Sequence, residues 1–280
     1  VLPVIRNEMY EGDFYDGRSG ELLQELWFDS RYISSVLGSY GVLENLSLEE
    51  IAQEREKLYS KDMCLFLAGA FSAEDAQAVL DTFGNLPLHA RKIPPVREEE
   101  KVTRAVNRVG RGRDLQVLVT YHVEKASFEL KMAAHWLRGA LFDGLDSAFF
   151  TFFNERGFQF YSVDGNYFVL GDELIFSYLV HVEKRDKKKF EPLIDEFEKF
   201  AENTPFLKLV KPFLHDNSVF LYDNPERLCS HYVDTWIDFS RPVTLKEELD
   251  FCESFTDERL KRSWREICSS LRRIFYIAKV

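Results

Sequence analysis

The chain has 280 residues, 45% of them hydrophobic and 30% charged, which is enough apolar sequence for a sizeable core and excludes global disorder. Its 47 acidic and 36 basic residues give a formal net charge of −11, which argues against a nucleic-acid partner, because phosphate binding depends on lysine and arginine. Its apolar runs all fall short of the roughly 20 residues that a membrane-spanning helix needs, so we expect no membrane partner.

The cysteines show no C-x-x-C spacing and no pairing with the histidines, so the sequence indicates neither a zinc knuckle nor a disulfide framework. We therefore favour the cytoplasm or another reducing compartment. The four cysteines are Cys64, Cys229, Cys252 and Cys268.

The first third of the chain is predicted to be mostly helical. Residues 4–9 read as the middle of a helix without a start signal, so we expect the encoded protein to extend upstream of Val1 by at least one domain's worth of strands and helices. Apolar spacing predicts a helix over residues 21–28, and Ser47-Leu-Glu-Glu50 is a capping box that opens another. Residues 64–69 are predicted to form a short buried strand, and residues 72–84 a third helix that ends at a glycine.

A linker is predicted at residues 96–113, where the composition changes from prolines to an acidic run and then to several arginines. It separates a first domain, residues 1–95, from a second, residues 114–280. In the second domain we predict strands over residues 115–121, 158–163, 174–182 and 273–279, with a turn at Asp164-Gly-Asn166. Helices are predicted over residues 126–142, 145–154, 187–202, 206–221, 225–237, 245–254 and 257–269.

Strands and helices do not alternate strictly, which indicates an α+β fold rather than a doubly wound parallel sheet. We expect two related units of mostly antiparallel sheet flanked by helices, the first of them incomplete at its N-terminus.

Several short segments carry a functional signal through their order and spacing. They are residues 4–9 (Val-Ile-Arg-Asn-Glu-Met), 26–32 (Leu-Trp-Phe-Asp-Ser-Arg-Tyr), 43–51, 58–63, 67–71 (Leu-Ala-Gly-Ala-Phe) and 83–87 (Phe-Gly-Asn-Leu-Pro). The series resembles the pitrilysin or insulinase-type zinc peptidases, a family that includes the mitochondrial processing peptidase. The resemblance covers nearly the whole chain and implies the C-terminal part of a catalytic-type domain followed by a companion domain.

The resemblance implies a zinc ion in the intact protein, with Glu8 as its third protein ligand and with Glu11 and Asp13 outside the first coordination sphere. Such sites also need an H-x-x-E-H segment, whose histidines bind zinc and whose glutamate activates the metal-bound water. Neither this motif nor H-E-x-x-H occurs in the chain, so we expect the 280 residues alone to bind no catalytic zinc.

Companion domains of this family present an arginine and a tyrosine to the substrate. The ungapped match places Phe153 and Phe160 at these two positions, whereas a shift of one residue gives Asn154 and Tyr161. Asn154 and Tyr161 are therefore the candidate substrate-binding residues, with the arginine absent.

Other chemistry-bearing residues have simpler interpretations. His122, His135 and His181 stand singly among apolar residues, which is typical of hydrogen-bonded structural histidines. His231 lacks a helical partner at the spacing of a metal pair, and the basic run over residues 184–189 is typical of a solvated helix start.

Three functional hypotheses follow. The chain is the catalytically incomplete part of a zinc-dependent endopeptidase that hydrolyses unstructured peptides in an enclosed chamber. Alternatively, it is a non-catalytic half that serves as scaffold or peptide-binding partner of an active subunit, in a homo- or heterodimer with another peptidase-like unit. In the third hypothesis, it is an α+β interaction domain whose likeness to peptidases is architectural only.

Overall fold

The computed structural model describes residues 45–58, 64–84, 114–211 and 224–278. The chain divides into two compact units, Val1–Arg104 and Ala105–Val280. The predictions for residues 1–44, 85–113 and 212–223, which include the first two helices and the linker, lie outside the described residues. No helix of the described part is long and apolar enough to cross a membrane.

The first unit contains two described helices, α1 (Leu48–Leu58) and α2 (Ala73–Gly84), and both begin at a reciprocal cap. Ser47 Oγ accepts a hydrogen bond from the Glu50 N–H at 3.2 Å, and Glu50 Oε2 accepts one from the Ser47 N–H at 2.8 Å. Ser72 and Asp75 repeat this arrangement at 3.1 and 3.0 Å. Both predicted helix starts are confirmed, because a cap depends only on residues one turn apart.

The predicted strand at residues 64–69 is wrong. Residues 64–68 are irregular, and Leu65 and Leu67 are 38% and 41% exposed. A short apolar run becomes a strand only when a neighbouring strand pairs with its backbone N–H and C=O groups. No strand among the described residues pairs with this segment.

The second unit contains a sheet and six long described helices. The strands are β1 (Asp114–Val123), β2 (Ser162–Leu170), β3 (Glu173–Glu183) and β4 (Leu271–Ala278). The helices are α3 (Phe128–Phe142), α4 (Ala148–Glu155), α5 (Lys187–Ala201), α6 (Pro225–Phe239), α7 (Leu245–Ser254) and α8 (Asp257–Ser269). A single 3₁₀ turn, Lys184–Asp186, precedes α5. Residues 206–211 are also helical.

The sheet has the strand order β2-β3-β1-β4, and every neighbouring pair is antiparallel. This arrangement of helices and antiparallel strands confirms the predicted α+β class. The turn predicted at Asp164-Gly-Asn166 is wrong, because Asp164 pairs with Leu179 and Asn166 with Ser177 inside the ladder. The chain reverses instead at the two-residue loop Gly171-Asp172, where Gly171 has a φ of 57° that suits glycine.

The core lies on one face of the sheet. Alternate residues of β1 and β3 that share this face, among them Val119, Tyr121 and Tyr178, are buried in a single apolar cluster with residues of the helices. The cluster is rich in aromatic side chains, and the ring of Phe142 stacks on that of Tyr178 with centroids 4.9 Å apart. Burying each large apolar side chain contributes roughly 1.5–3 kcal/mol, so this cluster stabilises the unit strongly.

Candidate functional site

The two candidate substrate-binding residues lie at the end of α4 and in its connection to β2. Helix α4 is capped by Ser147 and ends at Glu155, and Gly157 then takes a φ of 61° so that the chain can turn back. The Gly157 N–H donates to the Asn154 carbonyl at 3.0 Å, and the Tyr161 N–H donates to the His181 carbonyl at 2.8 Å. The connection is thereby attached at both ends, once to the helix and once to the sheet.

The ungapped and the shifted alignment of this segment place their candidate residues in different environments. Phe153 is fully buried, and Phe160 packs against the same cluster with its ring centroid 5.2 Å from that of Phe149. Asn154 is exposed at the end of α4, and Tyr161 is 64% exposed at the start of β2. Their role in substrate binding stays a prediction.

The basic residue of this connection, Arg156, is held against the protein. Its guanidinium carbon lies 3.6 Å from the centroid of the Phe152 ring, Nη1 donates to the Phe152 carbonyl at 3.2 Å, and Nε donates to Glu196 at 3.3 Å. Arg156 therefore joins α4 to α5.

Glu8, Glu11 and Asp13 lie outside the described residues. Within the four described ranges, no three histidine, cysteine, aspartate or glutamate side chains gather in a way that could hold a metal ion. The described residues thus do not fit a zinc ion.

All three single histidines are hydrogen-bonded, as the sequence predicts. His135 Nδ1 lies 3.3 Å from the Tyr167 hydroxyl oxygen, and the other two histidines bond across the sheet. His122 is 4% exposed, and its Nε2 lies 2.6 Å from Glu173 Oε2. His181 Nε2 lies 3.1 Å from Gln116 Nε2. Both contacts link neighbouring strands β1 and β3, so these histidines support the sheet.

A polar cluster between α6 and α7 was not predicted. His231 Nε2 lies 3.2 Å from the Val243 carbonyl oxygen and 3.5 Å from Glu248 Oε2, which ties α6 to α7. Burial raises the pKa of Glu248, and burial together with the neighbouring Asp234 raises the pKa of Asp238 to about 6. The sequence holds no local signal for this cluster, because only packing brings α6 and α7 together.

A second polar network holds the edge strand β4 against α5. The Tyr121 hydroxyl donates to Glu198 Oε1 at 2.6 Å, and Arg272 Nη1 donates to the same carboxylate at 2.6 Å and to Asp195 at 2.5 Å. The Trp264 indole N–H donates to the Glu198 carbonyl at 3.1 Å. The residues come from four elements and stabilise the fold rather than form an open site.

Comparison with known proteins gives one family match. The family model described as Peptidase M16 inactive domain matches residues 45–204, from just before α1 to just after α5. No curated protein sequence matches the chain significantly.

Several solved structures share the fold. A protease from Helicobacter pylori is 13% identical with a TM-score of 0.67, over 87% of this chain and 61% of that one. The periplasmic protease PqqL from Escherichia coli is 13% identical with a TM-score of 0.71, over 98% of this chain and 32% of that one. A peptidase M16 inactive domain from Pseudomonas fluorescens is 13% identical with a TM-score of 0.68, over 98% and 69% of the two chains. The chain thus spans less than two thirds of the length of the first two proteins.

Proposed function

Because the chain belongs to the peptidase M16 family, through a region that matches its inactive domain, we propose that it is the catalytically incomplete part of a zinc-dependent endopeptidase. It contributes to a chamber around unstructured peptides, while residues outside it supply the H-x-x-E-H segment. The observation that carries the proposal is the match of residues 45–204, in a chain that lacks that motif.

The geometry of the second unit agrees with a supporting role. Its aromatic core is closed, its described residues offer no metal site, and the α4–β2 connection exposes Asn154 and Tyr161. An amide and a phenol can accept and donate hydrogen bonds to a peptide backbone without taking part in bond cleavage. We propose that these two residues contact the peptide substrate.

An alternative proposal is that the chain is the non-catalytic half of such a peptidase and pairs with a separate active subunit, as a homo- or heterodimer. The described residues of the first unit support this alternative. Leu48 is 85% exposed, Phe71 and Leu80 are each 50% exposed, and α2 has no buried residue. Exposed apolar side chains of this kind are typical of surfaces that another polypeptide covers.

The experiment compares the 280-residue chain with the longest polypeptide encoded around it. Zinc content and chelator-sensitive cleavage of an unstructured peptide are measured for both. We expect zinc and cleavage for the longer polypeptide only. Stoichiometric zinc and cleavage by the 280 residues alone would overturn the proposal, whereas their absence from both proteins would favour the non-catalytic half.

A further inference from the structure

Helix α6 buries little of its surface. It packs against β2, the edge strand of the described sheet. Thr235 is its only buried residue, whereas most residues of α3 are buried. Trp236 and Ile237 of α6 are 40% and 63% exposed. Because a helix in a folded protein is stabilised mainly by packing of an apolar face, α6 is held to the second unit weakly.

The C-terminal end is the firm attachment of α6. The ring of Phe239 meets that of Phe128 on α3, with centroids 4.9 Å apart. The Val243 N–H donates to Thr235 Oγ1 at 3.1 Å, and Val243 is only 1% exposed. Between these contacts the helix ends at Ser240, whose φ of 55° is left-handed. The remainder of α6 can therefore move about this end.

Two carboxylates of α6 face β2 and α3. Asp234 and Asp238 lie about one helical turn apart, so their charges repel each other. Asp238 is partly buried, and among the described residues it has no hydrogen bond and no ion pair. Lys131 of α3 is the cation that acts on it, but Lys131 Nζ already donates to the Gly171 carbonyl at 2.5 Å. A partly buried carboxylate without a partner opposes docking whenever it is charged.

The groups on β2 and α3 do not compensate this charge. Tyr167 of β2 faces Asp238, and its hydroxyl oxygen lies 3.3 Å from His135 Nδ1. His135 stays accessible to solvent, but the surrounding protein lowers its pKa to about 4 by desolvation, with Arg138 as the second cause. Arg138 itself pairs with Asp143 at 2.7 Å.

The contact with α7 adds a further carboxylate. His231 Nε2 lies 3.5 Å from Glu248 Oε2, and both side chains are largely buried. Burial raises the pKa of Glu248, and His231 opposes this shift. Each contact of α6 with its neighbours thus contains a carboxyl group that is more easily buried when it is protonated.

We propose that α6, residues Pro225–Phe239, is a pH-sensitive flap, which is docked on β2 and α3 in mildly acidic solution and opens about its C-terminal end as the solution becomes neutral. Asp238 is the principal titrating group. Opening uncovers β2 at Tyr167. The device goes beyond the proposed function, because it requires neither zinc nor cleavage.

The direction of the response follows from proton linkage. Burial first and Asp234 second raise the pKa of Asp238 from 3.8 to about 6, with Lys131 opposing. Between these two pH values the docked helix binds more protons than the open one, so docking weakens as pH rises through this range. The raised pKa of Glu248 acts in the same direction.

The first test is hydrogen–deuterium exchange of the 280-residue chain at pH 5.5 and 7.5, read by mass spectrometry of fragments from α6 and α3. Each rate is divided by the intrinsic exchange rate at the same pH, which gives the protection of each helix. We expect the protection of α6 to fall about threefold between pH 5.5 and 7.5, a value reduced because Asp238 is partly exposed to solvent. The protection of α3 should stay constant.

The second test uses matched variants. Asp238→Asn removes the charge of the partly buried carboxylate, whereas Asp146→Asn removes one in an exposed loop. We expect Asp238→Asn to raise the protection of α6 at pH 7.5 above that of the wild type and to remove most of its pH dependence. Asp234→Asn removes only the repelling neighbour and should have a smaller effect of the same sign. Asp146→Asn should follow the wild type.

Three outcomes would overturn the proposal. The first is equal protection of α6 at the two pH values in the wild-type chain. The second is a parallel loss of protection in α3, which would show that the whole unit unfolds. The third is an Asp238→Asn variant that behaves like Asp146→Asn. None of these outcomes depends on zinc content or cleavage, so failure of this proposal is distinguishable from failure of the proposed function.

Discussion

Gly165 of β2 lies directly against the side chain of Phe142 at the end of α3. A Cβ atom at residue 165 would lie 2.3 Å from Phe142 Cδ2 and 3.0 Å from Phe142 Cβ. The Phe142 ring is 3% exposed and stacks on Tyr178, so it has little room to move. The close approach of β2 to α3 therefore requires glycine at this position.

We predict that Gly165→Ala destabilises the chain by about 1–3 kcal/mol, because an overpacked core forces side chains and backbone to shift. Urea unfolding followed by circular dichroism measures the change. Gly139→Ala is the matched control, since a Cβ there would meet only Asp143 Oδ2 at 3.7 Å. The control is expected to stabilise α3 by roughly 0.5–1 kcal/mol, and equal effects of the two changes would contradict the prediction.

We predict that Tyr121→Phe lowers the free energy of unfolding by about 1–3 kcal/mol. The change removes the hydroxyl that donates to Glu198 at 2.6 Å in the core. Tyr276→Phe removes a bond of the same length, from the Tyr276 hydroxyl to Glu191, at an exposed position. Because water replaces the lost partner there, we expect a loss below about 0.5 kcal/mol for the control.

The raised pKa of Asp238 predicts a pH dependence of stability. Its pKa rises from 3.8 to about 6 in the folded chain, through burial first and Asp234 second, with Lys131 opposing. Between these two pH values the folded state binds more protons than the unfolded state, so this group lowers stability as pH rises through about 6.

We therefore predict that Asp238→Asn stabilises the chain at neutral pH by about 1 kcal/mol. This value is smaller than the full pKa shift implies, because the carboxyl is half exposed and solvent screens its charge. It should have little effect near pH 3.5. Urea unfolding at a series of pH values measures the difference from the wild type. Asp146→Asn, in an exposed loop, is the control and should follow the wild-type profile. A constant difference between Asp238→Asn and wild type at every pH would show that Asp238 titrates normally.

For the intact protein, we predict that Glu8→Gln lowers both zinc content and peptidase activity, whereas Glu11→Gln leaves zinc content unchanged. The reason is the family pattern around residues 4–9, which places Glu8 as the third ligand of a site that needs three protein ligands. Metal analysis and a peptide cleavage assay measure both effects. The opposite result would show that the alignment is shifted, and no effect of either change would favour the non-catalytic half.

We also predict that Tyr161→Ala in the intact protein raises KM for an unstructured peptide about tenfold with little change in kcat, because a residue that only holds the peptide, as we propose for Tyr161, acts equally in the ground and transition states. Tyr161 is 64% exposed, so the change should leave thermal stability unaltered. Phe160→Ala provides the contrast, since that ring packs against the core and its loss should lower stability by a few kcal/mol. An unchanged KM for Tyr161→Ala would remove Tyr161 from the substrate site.

Local signals in the sequence were reliable where the interaction is local. The pairs Ser47 with Glu50 and Ser72 with Asp75 predict helix starts, and both caps are present with the expected hydrogen bonds. The same reasoning failed at Asp164-Gly-Asn166, whose composition is typical of a turn. There, pairing of β2 with β3 outweighs the local preference, and Gly165 is required by Phe142 rather than by a turn.

The sequence by itself determined the α+β class, the family, the caps and most helices of the second unit, because these depend on apolar periodicity and on residues within one helical turn. Only the tertiary structure decided which aromatic residues of the α4–β2 connection are core and which are exposed, since burial depends on the neighbouring sheet. Only the tertiary structure also shows that His231 lies next to Glu248 and that a cleft forms between α3 and α7. Contacts between side chains of different elements arise from packing, which no local pattern encodes.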